Sequence, residues 1–241
     1  MLKGSGIVLT IAGVIGSGKS TLTKILTDKL GTTPFYEPVD DNPVLPLFYE
    51  GNKLVEEGKR KTNPYAFLLQ VYFLNKRFKA IKEALSGGNN TLDRSIYEDS
   101  LFAKMNYDKG SMTKTEWDMY SELLDNMMEE VHGLPKKSPD LMILIKVSYP
   151  TMIKRIKKRG REFEQLTYDA SLEEYYKDLI NRYEQWEKEY NKSPLLVIDG
   201  DKYDFVSNKE DLEIVLKQIY DKMLEVKCIT KEEHDKLINS I

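Results

Sequence analysis

The run Gly13-Val14-Ile15-Gly16-Ser17-Gly18-Lys19-Ser20 fits the pattern G-x-x-x-x-G-K-[ST], and its residue types are those needed to hold phosphate. Gly13, Gly16 and Gly18 let backbone N–H groups around Ser17 converge on anionic oxygens, and a helix opening at Lys19, Ser20 and Thr21 adds positive potential. Lys19 can reach the outer phosphates, and the Ser20 hydroxyl can ligate Mg²⁺. The plain alternative is a glycine-rich turn between strand and helix. Three further groups carry chemistry. Glu37, in Glu37-Pro38-Val39, is a carboxylate able to act as a general base if it lies within reach of a hydroxyl, or simply a loop acid or helix cap. Asp93-Arg94-Ser95 offers an acid to orient a cation and a guanidinium to steady charge, or a salt bridge between loops. Lys154 to Arg161 holds six basic residues in eight positions, which suits a lid over a polyphosphate, a solvated helix face or a nucleic-acid patch.

These groups need elements to position them. Short branched-apolar runs alternate with long helical patterns, the mark of an α/β fold around a mostly parallel sheet. The strands are expected at 7–12, 33–36, 90–92, 141–145 and 195–198, all buried on both faces. The phosphate-holding run follows the first, Glu37 the second, Asp93 the third and the basic run the fourth. Helix starts are expected at Thr113-x-x-Glu116, Ser171-x-x-Glu174, Ser207-x-x-Glu210 and Thr230-x-x-Glu233, each with capping-box spacing. A helix over 65–85 would put Phe67, Val71, Leu74 and Phe78 on one face, and Gly51 to Asn63 reads as a solvated loop or frayed helix. No repeat or linker divides the 241 residues, so one domain over 1–241 is expected, with a lid at about 154–168 and a helical extension at about 227–241.

Composition narrows the function classes. Lys and Arg number 36 against 39 Asp and Glu, so the net charge of −3 gives no general field for nucleic acid or anionic lipid. A single cysteine, Cys228, excludes an intramolecular disulfide framework, and two histidines, His132 and His234, make a poor basis for a histidine metal site. The most apolar stretch, Ile7 to Ile15, is far below the ~20 residues of a membrane span and lacks signal-peptide flanks. The expectation is a cytoplasmic protein with neither nucleic-acid nor membrane partners.

The order of the motifs above resembles the deoxyribonucleoside kinases, most of all their bacterial deoxyadenosine and deoxyguanosine branch. The likeness rests on Tyr36-Glu37 with Asp41-Asn42-Pro43, Asp93-Arg94-Ser95-Ile96-Tyr97-Glu98-Asp99, Lys157-Lys158-Arg159-Gly160-Arg161 and the run from Ile198 to Phe205. The resemblance implies a P-loop NTPase-like three-layer fold, with a five-stranded parallel sheet surrounded by helices. It also implies a homodimer that transfers the γ-phosphoryl group of ATP, with Mg²⁺, to the 5′-hydroxyl of a deoxynucleoside. In it Glu37 is the general base, Arg94 contacts the 5′ oxygen and Asp93 orients Mg²⁺ or its water. Arg155, Arg159 and Arg161 are lid arginines, Glu164 reaches the sugar 3′-hydroxyl, and Asp204 and Phe205 hold the donor adenine.

Gln70, Arg77 and Asp99 match the positions that read the nucleobase, the alternative being a buried polar network without a ligand. An amide suits adenine N6 and N7, so deoxyadenosine is expected first, then deoxyguanosine and deoxycytidine. Leu45, Phe48 and Tyr49 are expected to wall the acceptor pocket beside Val39, although aromatic residues at this spacing also serve as plain core. Two departures from the animal enzymes are Asp40-Asp41-Asn42-Pro43 in place of an aromatic residue and Ala103 in place of a stacking Phe. The nearest rival is a thymidylate-kinase-like monophosphate kinase, whose Glu-Pro-Gly-Gly turn is missing. A non-catalytic nucleotide-binding regulator would have no use for Glu37, Arg94 and the arginine lid.

Overall fold

The computed structural model describes residues 6–36, 42–129, 138–168, 170 and 172–241. These fall into two compact units: one holds the described residues of 6–35, 87–94 and 138–241, the other residue 36, 42–86 and 95–129.

The first unit holds a five-stranded, all-parallel sheet of β1 (Val8–Gly13), β2 (Thr33–Phe35), β3 (Asn90–Asp93), β4 (Leu141–Lys146) and β5 (Leu195–Asp199), in the order β2-β3-β1-β4-β5. Every residue of β1 and β3 is buried, although β3 is the polar run Asn90-Thr91-Leu92-Asp93. The expectation that all five strands are buried on both faces fails at β2 and β5. These strands close the sheet, have one neighbour each, and stay partly exposed. Register places Ile11 opposite both Asp93 and Ile143, so β1 and β3 end side by side. In an open parallel sheet the carboxyl ends beside the point where strand order reverses are where ligands bind.

The helices of this unit are α1 (Lys19–Leu30), α6 (Tyr149–Arg159), α7 (Leu172–Glu189), α8 (Lys209–Glu225) and α9 (Lys231–Ile238). The Thr230–Glu233 capping box forms as expected, and α9 packs on α8, where His234 Nε2 lies 2.7 Å from Asp221 Oδ1. The start read at Ser207 belongs to Asn208, whose side chain accepts the Glu210 and Asp211 N–H groups; Ser207 is taken up by a turn, its N–H bonded to Asp204. Ser171 lies outside the described residues.

The second unit is helical: α2 (Leu45–Glu56), α3 (Ala66–Leu85), α4 (Ile96–Asp108) and α5 (Lys114–Met128). Thr113 and Glu116 form the expected box, and Ser95 with Glu98 forms a further one at the start of α4. The segment from Gly51 to Asn63, expected as a solvated loop or frayed helix, begins as the last turns of α2 and is exposed over 56–61, but both its ends are buried. Gly51 is buried inside α2, and Asn63 Nδ2 donates to the Phe48 carbonyl at 2.8 Å and to Asn52 Oδ1 at 2.6 Å, space that a Cβ on Gly51 would fill. On α3, Phe67, Val71, Leu74 and Phe78 share one helix face as expected, Phe67, Val71 and Phe78 being half-buried. Only Leu74 of that set is fully buried; the buried stripe runs through Ala66, Leu69, Gln70, Leu74, Arg77, Ile81 and Ala84. A hydrophobic pattern misses this stripe because two of its members are polar.

Candidate functional site

In the first unit the loop from β1 to α1 is shaped by backbone no side chain would permit. Gly13 has φ +142°, and a Cβ there would stand 2.7 Å from the Ile145 carbonyl oxygen and 2.8 Å from Ser17 Oγ. Gly18, at φ +104°, precedes α1 with no side-chain cap, and the helix has no acidic residue of its own in its first turn, which leaves its positive end uncapped by its own sequence. Lys19 Nζ donates to the Val14 carbonyl at 2.9 Å, which folds the ammonium back over the loop.

Ser20 opens α1 and Asp93 closes β3, and the Ser20 hydroxyl donates to Asp93 Oδ2. Asp93 Oδ1 is buried without a hydrogen-bond partner among the described residues. A carboxylate oxygen so placed beside a serine hydroxyl fits a hard divalent cation, which prefers oxygen ligands and keeps phosphate oxygens or waters in its remaining positions. No cluster of three or more His, Cys, Asp or Glu among the described residues could hold a metal alone, so the fit is to Mg²⁺ arriving with phosphate.

Arg94 follows with φ +77°, a left-handed backbone that costs a non-glycine residue about 1 kcal/mol or more. Its N–H donates to the Ile11 carbonyl at 2.8 Å and its Nη1 to the Tyr183 hydroxyl of α7 at 2.9 Å. Sequence reasoning missed Tyr183. It lies on the buried stripe of Tyr176, Leu179, Tyr183 and Trp186, and only its hydroxyl distinguishes it from plain core.

The basic run divides by role. Arg155 Nη1 donates to the Ser17 carbonyl at 2.7 Å and Nη2 to the Gly200 carbonyl at 2.8 Å, tying the phosphate loop to the turn after β5. Burial lowers its pKa from the ordinary value, while the negative fields of Asp204 and Asp201 oppose the shift. Phe205 is buried and packs on Gly18, its ring 3.0 Å from where a Cβ would stand. Asp204 accepts the Ser207 N–H and so shapes this turn.

After α6 the chain turns at Gly160 into a short 3₁₀ segment, Glu162–Glu164. Glu164 pairs with Arg159, and Arg161 Nη1 lies 3.5 Å from its other oxygen, while the Tyr176 hydroxyl donates to the Glu164 carbonyl at 2.9 Å. The carboxylate expected at a sugar hydroxyl is thus engaged with the two arginines beside it.

In the second unit, Gln70 and Arg77 lie on the buried stripe of α3, and Arg77 Nε donates to Asp99 Oδ2 of α4 at 2.5 Å. The side chains of this pair are 7% and 4% exposed, so each ion depends on the other; removing one partner of such a pair costs about 3–5 kcal/mol. Leu45, Phe48 and Tyr49 share one face of α2, with the Phe48 and Tyr49 rings edge-on at 5.9 Å. The helix is started by Asn42, whose Oδ1 accepts the Val44 and Leu45 N–H groups and whose Nδ2 is buried without a partner among the described residues. Ala103 is fully buried in α4. Glu37 and Val39 lie outside the described residues.

The deoxynucleoside kinase family model covers residues 9–225. The chain is 60% identical over 219 residues to a deoxyguanosine kinase of Lactobacillus acidophilus, covering 91% of this chain and 92% of that one. It is 50% identical to a deoxyadenosine kinase of the same organism, covering 91% and 97%. A solved structure of deoxyadenosine kinase from M. mycoides, with products dCMP and a flexible dCDP bound, superposes with a TM-score of 0.68 at 30% identity, covering 88% of this chain and 98% of that one.

Proposed function

We propose, because the chain belongs to the deoxynucleoside kinase family, that it moves the γ-phosphoryl group of ATP onto the 5′-hydroxyl of a purine deoxynucleoside, deoxyguanosine before deoxyadenosine. The observation that carries the substrate class is the buried Arg77–Asp99 pair on the same helical unit as the buried amide of Gln70. A guanidinium suits the O6 and N7 acceptors of guanine, and a carboxylate accepts from its ring N–H and amino group. The relative at 60% identity is named for deoxyguanosine. Deoxyadenosine, the first expectation from the sequence, keeps the second place: an amide at Gln70 suits adenine N6 and N7, and the relative at 50% is named for it.

In the proposed reaction Glu37 takes the proton from the 5′-hydroxyl as that oxygen forms its bond to the γ-phosphorus. The bond from phosphorus to the β–γ bridging oxygen breaks, and ADP leaves. Arg94, held by Tyr183, steadies negative charge at the acceptor oxygen, and Lys19 swings from the Val14 carbonyl to the outer phosphates. Mg²⁺, when bound, neutralises charge on the donor phosphates; Ser20 and Asp93 would hold it. Arg159 and Arg161 close over the transferring group, with Glu164 setting their position, and Arg155 holds the loop that receives the donor base. Such transfer needs positioning and charge neutralisation more than covalent chemistry from the protein. The homodimer implied by the family is part of the same proposal.

The test is incubation with Mg-ATP and each of the four deoxynucleosides, and separately with thymidine monophosphate, followed by chromatography of the products. Deoxyguanosine monophosphate as the main product is expected. Deoxyadenosine monophosphate would support the second reading, and phosphorylation of thymidine monophosphate alone would overturn both.

A further inference from the structure

One polar group in the helical unit has no role in the reaction just described. Tyr120 of α5 is fully buried, and its hydroxyl makes no hydrogen bond among the described residues. Its ring stacks on Trp117 at 6.2 Å and 19°, and Trp117 stacks on Tyr107 of α4 at 6.0 Å and 17°. An apolar ring would satisfy that stack equally well. A buried hydroxyl without a partner is unfavourable relative to phenylalanine at the same place, so packing alone does not account for the oxygen.

Its surroundings supply the reason. The helix that carries Tyr120 packs against both α3 and α4, the two helices that contribute Arg77 and Asp99. The phenol lies within the electrostatic reach of both side chains. Burial first, then the negative field of Asp99, raise its pKa far above the ordinary 10.0, and Arg77 opposes them. At any working pH the group is therefore a neutral O–H dipole, an uncommitted donor in the apolar packing around an ion pair.

A nucleobase that binds Arg77 and Asp99 must draw hydrogen bonds from a pair whose members already satisfy each other. Whatever the base takes from Asp99 or Arg77 has to be compensated, since a buried charge that loses a partner is costly. We infer that Tyr120 is a positioning residue for nucleobase recognition: its hydroxyl is the donor that turns to Asp99 when a purine engages Arg77, keeping the carboxylate in place to read the base. This rests on the purine-reading assignment of Arg77 and Asp99 made above. Thymine, which lacks an exocyclic amine, gains less from the arrangement than guanine or adenine.

The test compares Tyr120→Phe with the wild-type enzyme in steady-state kinetics on deoxyguanosine, deoxyadenosine and thymidine at saturating Mg-ATP. The expected result is a KM for the purine deoxynucleosides raised roughly tenfold, with kcat, the KM for ATP and the KM for thymidine within about twofold and thermal stability unchanged or higher. Ser121→Ala, which removes the neighbouring buried hydroxyl that also lacks a partner, should leave base preference as it was. Equal changes on all three nucleosides, no change on any, or the same shift in Ser121→Ala would overturn the inference. Should Tyr120→Phe fail to fold, 3-fluorotyrosine at position 120 answers the same question. Its ¹⁹F resonance should move on addition of deoxyguanosine without ATP and stay with thymidine, and a resonance that ignores deoxyguanosine would overturn the inference. Wild-type enzyme that phosphorylates neither purine deoxynucleoside would instead remove the purine reading, whatever Tyr120 does.

Discussion

Arg94 is the residue at which strain and chemistry coincide. Its left-handed backbone, the N–H bond to Ile11 and the guanidinium bond to Tyr183 together hold one charged group in one place. A residue kept in an unfavourable φ persists only where its surroundings over-determine it, and here the determinants include Ile11 of β1 and the Tyr183 phenol of α7. Tyr183→Phe removes one hydrogen bond to a charge and leaves the ring that packs beside Trp186. Turnover should fall about tenfold, the equivalent of ~1.4 kcal/mol, with the KM for nucleoside and the melting temperature nearly unchanged. Turnover equal to wild type would show that Arg94 is positioned without Tyr183.

At the scale of elements, α6 connects the acidic turn after β5 to the phosphate loop. Both oxygens of Asp201 accept the Ser148 N–H at 3.0 Å, just ahead of the helix, and Arg155 two turns further on grips Ser17 and Gly200. Burial works against the charge on Asp201. The Thr151 and Ser148 hydrogen bonds, with the field of Arg155, outweigh it and lower the pKa from 3.8. A carboxyl depressed on folding stabilises fully above its unfolded pKa, and that contribution is lost as pH falls through the folded value. Asp201→Asn should therefore melt lower than wild type at pH 7, by about half a kcal/mol once solvent screening is allowed for, and the gap should close as pH falls below about 4. Melting curves between pH 7 and 3 decide the matter, and a gap that does not depend on pH would remove the carboxylate from the latch.

The strands, the glycine-shaped turn from β1 to α1 and two of the four expected capping boxes were legible because each is a local pattern: a short strand run, a glycine spacing, a Thr-x-x-Glu. What the sequence hid depended on distant partners. The segment from Gly51 to Asn63 reads as a solvated loop or frayed helix until Asn63 is seen against Gly51, whereas the polar network of Gln70, Arg77 and Asp99, open as an alternative in the sequence, does bring Arg77 onto Asp99. The bond from Ser20 to Asp93 joins residues 73 apart in the chain, and the tie from Arg155 to Ser17 spans 138, so neither leaves a trace in any short window.

For the whole molecule, the chain passes between the two units at 35/36, 86/87, 94/95 and 137/138, and the division separates the residues proposed for the donor from those proposed for the nucleobase. Lys19, Ser20, Asp93, Arg94 and Arg155 belong to the sheet unit; Gln70, Arg77 and Asp99 belong to the helical one. A deoxynucleoside kinase built this way can have donor and acceptor binding perturbed separately. Arg155→Ala releases two charge-assisted bonds to the loop carbonyls and should raise the KM for ATP about tenfold, leaving nucleoside affinity within twofold. Asp99→Asn keeps the shape of the Arg77 partner but removes its charge, and should raise the KM for a purine deoxynucleoside by a similar factor while the KM for ATP holds. In the double variant the two losses should add, as they do for residues that share no partner. Initial-rate kinetics over both substrates give all four constants. If either single variant raised both KM values together, or the double variant departed from additivity by more than about fivefold, the two units would be acting as one binding element, and the separation of donor and acceptor residues along the chain would have no functional meaning.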